Sequence, residues 1–464
     1  MTADASNTSL APLTDEEILS LLSPFCAHEH VALAVSGGPD STALMIAARR
    51  LADLRADAPR MTVLTVDHGL RPEAAEEVAL VQRQAQALGF SCTILRVQGL
   101  GAQASRIQER ARRARYRLLG QWCFEHGAAL ATAHALEDQA ETFLMRLARG
   151  SGIDGLSGMA AEGAVPFLEG FVPLLRPLLS VRRARLAATV KAAGLSWVED
   201  PSNRDVRFER VRMRALLPQL EKAGLSAEAI ARSMRRLQMV RYSMNRCLKE
   251  VMAGRFIHHA DLGWGLLPCE AFHALDEALR VRFLAFVIRL YGHGQGASLA
   301  DIERLGHGLQ QRIENASLSA GGFTLGGAVV LLRRQNLIFG RETGRITDVL
   351  KLSPDMPHGV WDRRFDITFA GLKAPVEVRA LGAVPLPERA GEEGHESLLK
   401  RPRAVPVEIW LSQPAVVWNA QIVALPAAGR ILPQRPFETV FCRFVRKAEP
   451  DAAWGHDRYE NWND

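Results

Sequence analysis

Ser36-Gly37-Gly38-Pro39-Asp40-Ser41 gathers glycines, hydroxyls and a carboxylate into one short run. Glycine lets the backbone come close to a ligand. The first amides of a helix have no partner inside it and attract anions. If a helix opens at Asp40, the run forms a cradle for phosphate, with a carboxylate beside it for a hard cation. No Lys-Ser or Lys-Thr follows the glycines, so this is not a Walker A loop. Two further clusters carry chemistry. His134, Asp138 and Glu141 are spaced four and three apart, which puts them on one helix face. Arg112 and Arg115 are three apart and could aim two guanidiniums at one phosphate. Amides, guanidiniums and carboxylates at one point suit phosphoryl transfer, where negative charge must be stabilised as it moves.

The elements around these residues decide whether they meet. Val31, Leu33 and Val35 alternate with alanines and predict a buried parallel strand ending at Ser36. Further strands are expected over 61–66, 92–97 and 128–133, and helices over 13–28, 73–88, 104–126 and 136–149. Strands alternating with helices imply an α/β fold with a doubly wound parallel sheet. Ligands in such sheets sit beyond the carboxyl ends of the strands, near the switch point. Ser36, Asp67 and His134 stand at three strand ends, so three segments point at one crevice. Along 104–126, Ile107, Ala111, Ala114 and Leu118 form the face expected to meet the core, and Arg106, Arg110, Arg113 and Arg117 a solvated stripe. Gly150, Gly152 and Gly155 match a dinucleotide fingerprint but follow a helix, not a strand, so they read as a loop.

Composition narrows the function classes. With 48% hydrophobic and 23% charged residues the chain is ordinary globular protein. No apolar stretch is long enough for a bilayer, and the start lacks a basic region followed by an apolar run, so no signal peptide is expected. Six cysteines without a CxxC fit reduced thiols and supply no zinc or iron–sulfur ligand set. A cytoplasmic location is expected. The net charge of +6 is uneven: residues 216–345 hold 17 Lys+Arg against 11 Asp+Glu, while 1–215 hold 25 against 24 and 346–464 hold 15 against 16. The middle segment could therefore face a nucleic-acid backbone.

The order Ser-Gly-Gly-Pro-Asp-Ser between strand and helix resembles the SGGxDS loop of the ATP-pyrophosphatase (PP-loop) superfamily. Further residues narrow the resemblance to the tRNA(Ile)-lysidine synthetase family: Val66-Asp67-His68-Gly69-Leu70-Arg71, Arg112 with Arg115-Tyr116, His134 through Thr142, Arg149-Gly150-Ser151-Gly152, Arg176-Pro177-Leu178-Leu179 and Glu199-Asp200-Pro201-Ser202-Asn203. The chain departs from the family pattern at Ala135, where a second histidine is usual, at Glu137, where aspartate is usual, and at Val211, which replaces an asparagine between Arg210 and Arg212.

The resemblance implies a PP-loop catalytic domain over 1–215, a helical tRNA-binding domain over 216–345 and a small α+β domain over 346–464 contacting the acceptor stem. It implies two steps on tRNA(Ile) with a CAU anticodon: ATP adenylates the wobble cytidine, then free L-lysine displaces AMP. Ser36, Gly37, Gly38, Pro39, Asp40, Ser41 and His68 would bind ATP. Asp40, Arg112, Arg115 and His134 would be catalytic, Asp40 with Mg2+, and Asp138 and Glu141 would hold the lysine. A tRNA thiolase of the same superfamily is the alternative, but such enzymes usually depend on cysteine pairs, and here Cys123 stands alone in a helix.

Overall fold

The computed structural model describes residues 10–67, 74–97, 107–167, 170–199, 205–292, 297–315, 321–385 and 395–445. The chain divides into two compact units, one through Tyr242 and one from Ser243.

The first unit contains the helix α1 (Asp15–Leu21), β1 (His30–Ala34), α2 (Pro39–Leu54), β2 (Arg60–Asp67), α3 (Ala74–Ala87), β3 (Ser91–Arg96), α4 (Ile107–Glu125), β4 (Ala129–Ala131) and α5 (Leu136–Ala148). It continues with α6 (Ile153–Leu156), β5 (Glu162–Phe167), β6 (Gly170–Leu175), α7 (Arg183–Ala192), α8 (Glu209–Lys222) and the part of α9 (Ala227–Met252) that runs through Tyr242. Among the described residues its sheet has the order β3-β2-β1-β4-β6-β5. All neighbours are parallel except β5 and β6, which form an antiparallel hairpin at the edge. Every residue of β1 is buried, as a central strand covered on both faces requires. Val31, Leu33 and Val35 pack with Leu44, Met45, Val81 and Leu186 of α2, α3 and α7 on one face. Ala32 and Ala34 pack with Tyr116, Leu119 and Cys123 of α4 on the other. The strand order reverses between β1 and β4, so the switch point lies where Ser36 and His134 leave the sheet.

Two readings of this unit change. The core face of α4 is Tyr116, Leu119 and Cys123, not the stripe through Ala114 and Leu118, which is half-buried. Tyr116, Leu119 and Cys123, spaced three and four apart on one helix face, meet Leu130, Val165 and Leu174 of the sheet. The hairpin β5–β6 was not expected, because Pro166 and Pro173 interrupt its apolar pattern. Pro166 lies on the edge strand β5, where proline is tolerated, and Pro173 lies one residue before the pairing of β6 with β4 begins at Leu174.

The second unit contains β7 (Ile257–His259), β8 (Trp264–Pro268), α10 (Cys269–His273), α11 (Glu277–Tyr291), α12 (Leu299–Glu314), β9 (Gly322–Leu325), β10 (Ala328–Arg333) and β11 (Asn336–Arg341). Its first sheet has the order β7-β8-β11-β10-β9. The segment 216–345 is thus not helical throughout. α10 and α11 are separate helices because Asp276 caps α11, its side chain accepting the Leu279 amide at 2.8 Å. Sheets built from Leu350–Leu352, Val376–Ala380, Pro414–Trp418, Gln421–Leu425 and Arg430–Ile431, and from His358–Trp361, Phe365–Ala370 and Thr439–Phe444, complete the unit. One hydrophobic core joins Phe283, Phe286 and Phe339 to Trp361, Phe365 and Val378. The fully buried Arg341 binds Asp362 at 3.0 Å.

Candidate active site

The loop after β1 is built by its own hydroxyls. The Ser36 amide donates to Ser41 Oγ at 3.2 Å, and Ser41 Oγ donates to the Gly38 carbonyl at 3.0 Å. Gly37 has a φ of +84°, and a β-carbon there would stand 3.3 Å from both Val198 and Val81, so the turn needs glycine. Gly38 is the N-cap of α2, Pro39 and Asp40 lie in its first turn, and no side chain caps the helix. Free amides at a helix start, beside a serine left exposed at Ser36, form an anion cradle.

His134 and α5 leave β4 on the other side of the switch point. Asp138 Oδ2 accepts the Ala135 amide at 2.8 Å, which caps the helix and fixes the carboxylate. Ala135 itself is fully buried, so the position where the family carries histidine is here part of the core. His134 Nδ1 lies 3.0 Å from Thr132 Oγ1. Burial alone would raise the Asp138 pKa, but Arg183, His134, Arg210 and the Ala135 amide outweigh it and hold the carboxyl below its ordinary range.

Arg183 joins the two sides. Its Nε donates to Asp40 Oδ2 at 2.9 Å and its Nη2 to Asp138 Oδ1 at 2.9 Å, while Nη1 lies 3.6 Å from Glu141 Oε1. Its backbone amide donates to Glu137 Oε2 at 2.9 Å, so Glu137 neutralises the start of α7 from outside that helix. Glu141 is fully buried, and Arg214 Nε donates to it at 2.7 Å while Arg210 Nε stands 3.4 Å away. Asp40, Asp138 and Glu141 thus lie against the guanidiniums of Arg183, Arg210 and Arg214, with Glu137 on the Arg183 amide. Burial pushes the Asp40 carboxyl up to about 6, against the pull of Arg183. Asp40 Oδ1 is buried without a hydrogen-bond partner.

That oxygen suits a magnesium ion, which commonly takes one or two carboxylates and completes its shell with phosphate and water. Among the described residues no group of three His, Cys, Asp or Glu could hold a metal by itself.

The structure therefore brings Asp40, Asp138 and Glu141 together and sets Ser36 against Ser41. His68 lies outside the described residues, as does the side chain of Arg112. Arg115 is half-buried in the middle of α4. Arg183, Arg210 and Arg214 were missed. A signal for Arg183 exists: Arg182, Arg183 and Arg185 crowd a helix start, where cations oppose the dipole. Each finds carboxylates elsewhere, Arg182 on Glu228 at 2.7 Å and Arg185 on Glu17 at 2.7 Å. The glycine run 150–155 contains the short helix α6, and Arg146 Nη1 donates to the Gly155 carbonyl at 3.0 Å.

Residues 11–220 match the family model of the PP-loop domain. The tRNA(Ile)-lysidine synthase of Bradyrhizobium sp. strain BTAi1 is 37% identical over 354 residues, covering 75% of this chain and 96% of that protein. The enzyme of the same name from Ruegeria pomeroyi is 34% identical over 408 residues, covering 86% of this chain and 88% of that protein. A solved U34-tRNA thiolase from Methanococcus maripaludis is similar over 48% of this chain and 77% of its own, at 17% identity and a TM-score of 0.41, too distant to bear on activity. No helix among the described residues is long and apolar enough to cross a membrane.

Proposed function

Because the chain belongs to the tRNA(Ile)-lysidine synthase family, we propose that it joins free L-lysine to C2 of the wobble cytidine of tRNA(Ile) with a CAU anticodon. ATP is cleaved to AMP and pyrophosphate, and the modified tRNA reads AUA in place of AUG. In the first step the cytidine O2 attacks the α-phosphorus of ATP, an O–P bond forms and pyrophosphate leaves. In the second, a lysine amine attacks C2, the C–O bond to AMP breaks and the amine loses a proton.

The observation that carries this reading is the meeting of Asp40, on the phosphate loop, with Asp138 and Glu141 from the other side of the switch point. Loop amides, Ser36 and Ser41 would hold the triphosphate, with Gly37, Gly38 and Pro39 giving it room and His68 beside the nucleoside. Arg112, Arg115 and His134 would meet charge developing on the transferred phosphoryl group. Asp40 would hold Mg2+, which neutralises phosphate charge when bound. Asp138 and Glu141 would receive the lysine ammonium. A buried carboxylate left unpaired costs about 3–5 kcal/mol, so the arginines on Glu141 act as its counter-ions until substrate arrives.

Residues 216–345 would bind the tRNA body, supported by their excess of positive charge and by Arg235 and Arg236 exposed on α9. Residues 346–464 would reach the acceptor stem. The test is incubation with ATP, labelled lysine and either tRNA(Ile) or tRNA(Met), both bearing CAU. Label in tRNA(Ile) alone is expected; label in neither would overturn the reading.

A further inference from the structure

Arg183 occupies the first position of α7, where a positive side chain opposes the helix dipole by about 0.3–1 kcal/mol. Its placement is therefore imposed from outside the helix. On either side, Arg182 is held by Glu221 and Glu228 and Arg185 by Glu17, so α7 cannot rotate about its axis without breaking three sets of ion pairs. Between these anchors the planar fork of Arg183 addresses carboxylates on two elements at once: Asp40 on α2, and Asp138 with Glu141 on α5. A lysine, with one point charge, could not span them.

We propose that Arg183 is a positioning residue that sets the spacing between the phosphate loop and the amine-binding face, holding in register the carboxylates that the substrate cations later share. The inference rests on the function proposed above. It has a consequence that a merely structural role lacks. The guanidinium competes with a metal at Asp40 and with an ammonium at Asp138 and Glu141. Its removal frees these carboxylates for soluble cations while it loses their alignment.

The test compares wild type, Arg183→Lys and Arg183→Met. For Arg183→Met the maximal rate of lysine incorporation should fall at least about tenfold, as loss of alignment typically costs. Its half-saturating Mg2+ should fall about threefold or more, because a like charge beside the site is gone. Millimolar guanidinium should restore part of the rate, and Arg183→Lys should restore less than half of it. Mn2+ titration followed by electron paramagnetic resonance, without tRNA, should show tighter binding to Arg183→Met. An unchanged rate, or a lower rate with unchanged Mg2+ requirement, unchanged Mn2+ affinity and no guanidinium rescue, overturns the proposal. If wild type labels no tRNA while the Mn2+ titration still separates it from Arg183→Met, the function reading fails and the placement of Arg183 stands.

Discussion

Arg214 donates through Nε to Glu141 at 2.7 Å although the two stand 73 residues apart, and the carboxylate they share with Arg210 is fully buried. A carboxylate so placed is aimed by its partners. Glu141→Gln keeps the shape and removes the charge. The half-saturating lysine concentration should rise at least about tenfold, the worth of one charge-assisted hydrogen bond, while that for ATP stays within about twofold. Steady-state kinetics on both substrates check this, and equal rises would contradict the lysine assignment.

The burial of Asp40 sets a cost in stability. Its carboxyl is pushed up to about 6 by burial. A group with a raised folded pKa contributes fully below its unfolded value of 3.8, and that contribution is lost as pH rises through about 6. Asp40→Asn should therefore stabilise the protein by about 1–3 kcal/mol at pH 8, with the gain shrinking as pH falls toward 4, while AMP transfer is abolished. Denaturant unfolding at several pH values checks the sign. A destabilised Asp40→Asn at pH 8 would contradict it.

The Asp40 loop was legible because strand, glycines and helix start are consecutive in the chain, and local chemistry dictates them. The α5 cluster was legible from helical spacing. Arg183, Arg210 and Arg214 were not, because their partners lie far away in the chain, up to 143 residues for Arg183 and Asp40, and only tertiary packing selects them among many surface arginines. The same limit hid β5–β6, whose apolar pattern is broken by Pro166 on the edge strand and by Pro173 just before the pairing with β4 begins. It also misplaced the core face of α4, because the sheet the helix lies on selects the buried face through Tyr116, Leu119 and Cys123.

Gly158 should not tolerate a side chain. Its φ is +67°, and a β-carbon would come 1.8 Å from Met234 Cε and 2.7 Å from Gln139 Oε1. Gln139 is itself engaged, donating to the Met159 carbonyl at 2.6 Å and accepting its amide at 2.8 Å. Gly158→Ala should cost about 1–3 kcal/mol. Adding Met234→Ala should relieve only part of it, because the backbone strain remains. Thermal unfolding of the single and double variants measures both.

The anchoring of α1 should be pH-dependent in the opposite sense to Asp40. Hydrogen bonding from Arg185 lowers the Glu17 carboxyl from 4.5 to about 2. Its stabilisation is present above 4.5 and is lost as pH falls through about 2. Glu17→Gln should lower the melting temperature at pH 7, leaving the buried Arg185 without its carboxylate, and the difference from wild type should narrow below pH 4.5. A difference that stays constant with pH would contradict the pairing.

The most direct measurement uses ATP labelled at the α-phosphate, tRNA(Ile) with a CAU anticodon and no lysine. Label should pass to the RNA with release of pyrophosphate. Adding unlabelled lysine should then release it as AMP, and Asp40→Ala should do neither. Lysine incorporation without a labelled RNA intermediate, or undiminished labelling by Asp40→Ala, would contradict a phosphate loop that hands AMP to the tRNA.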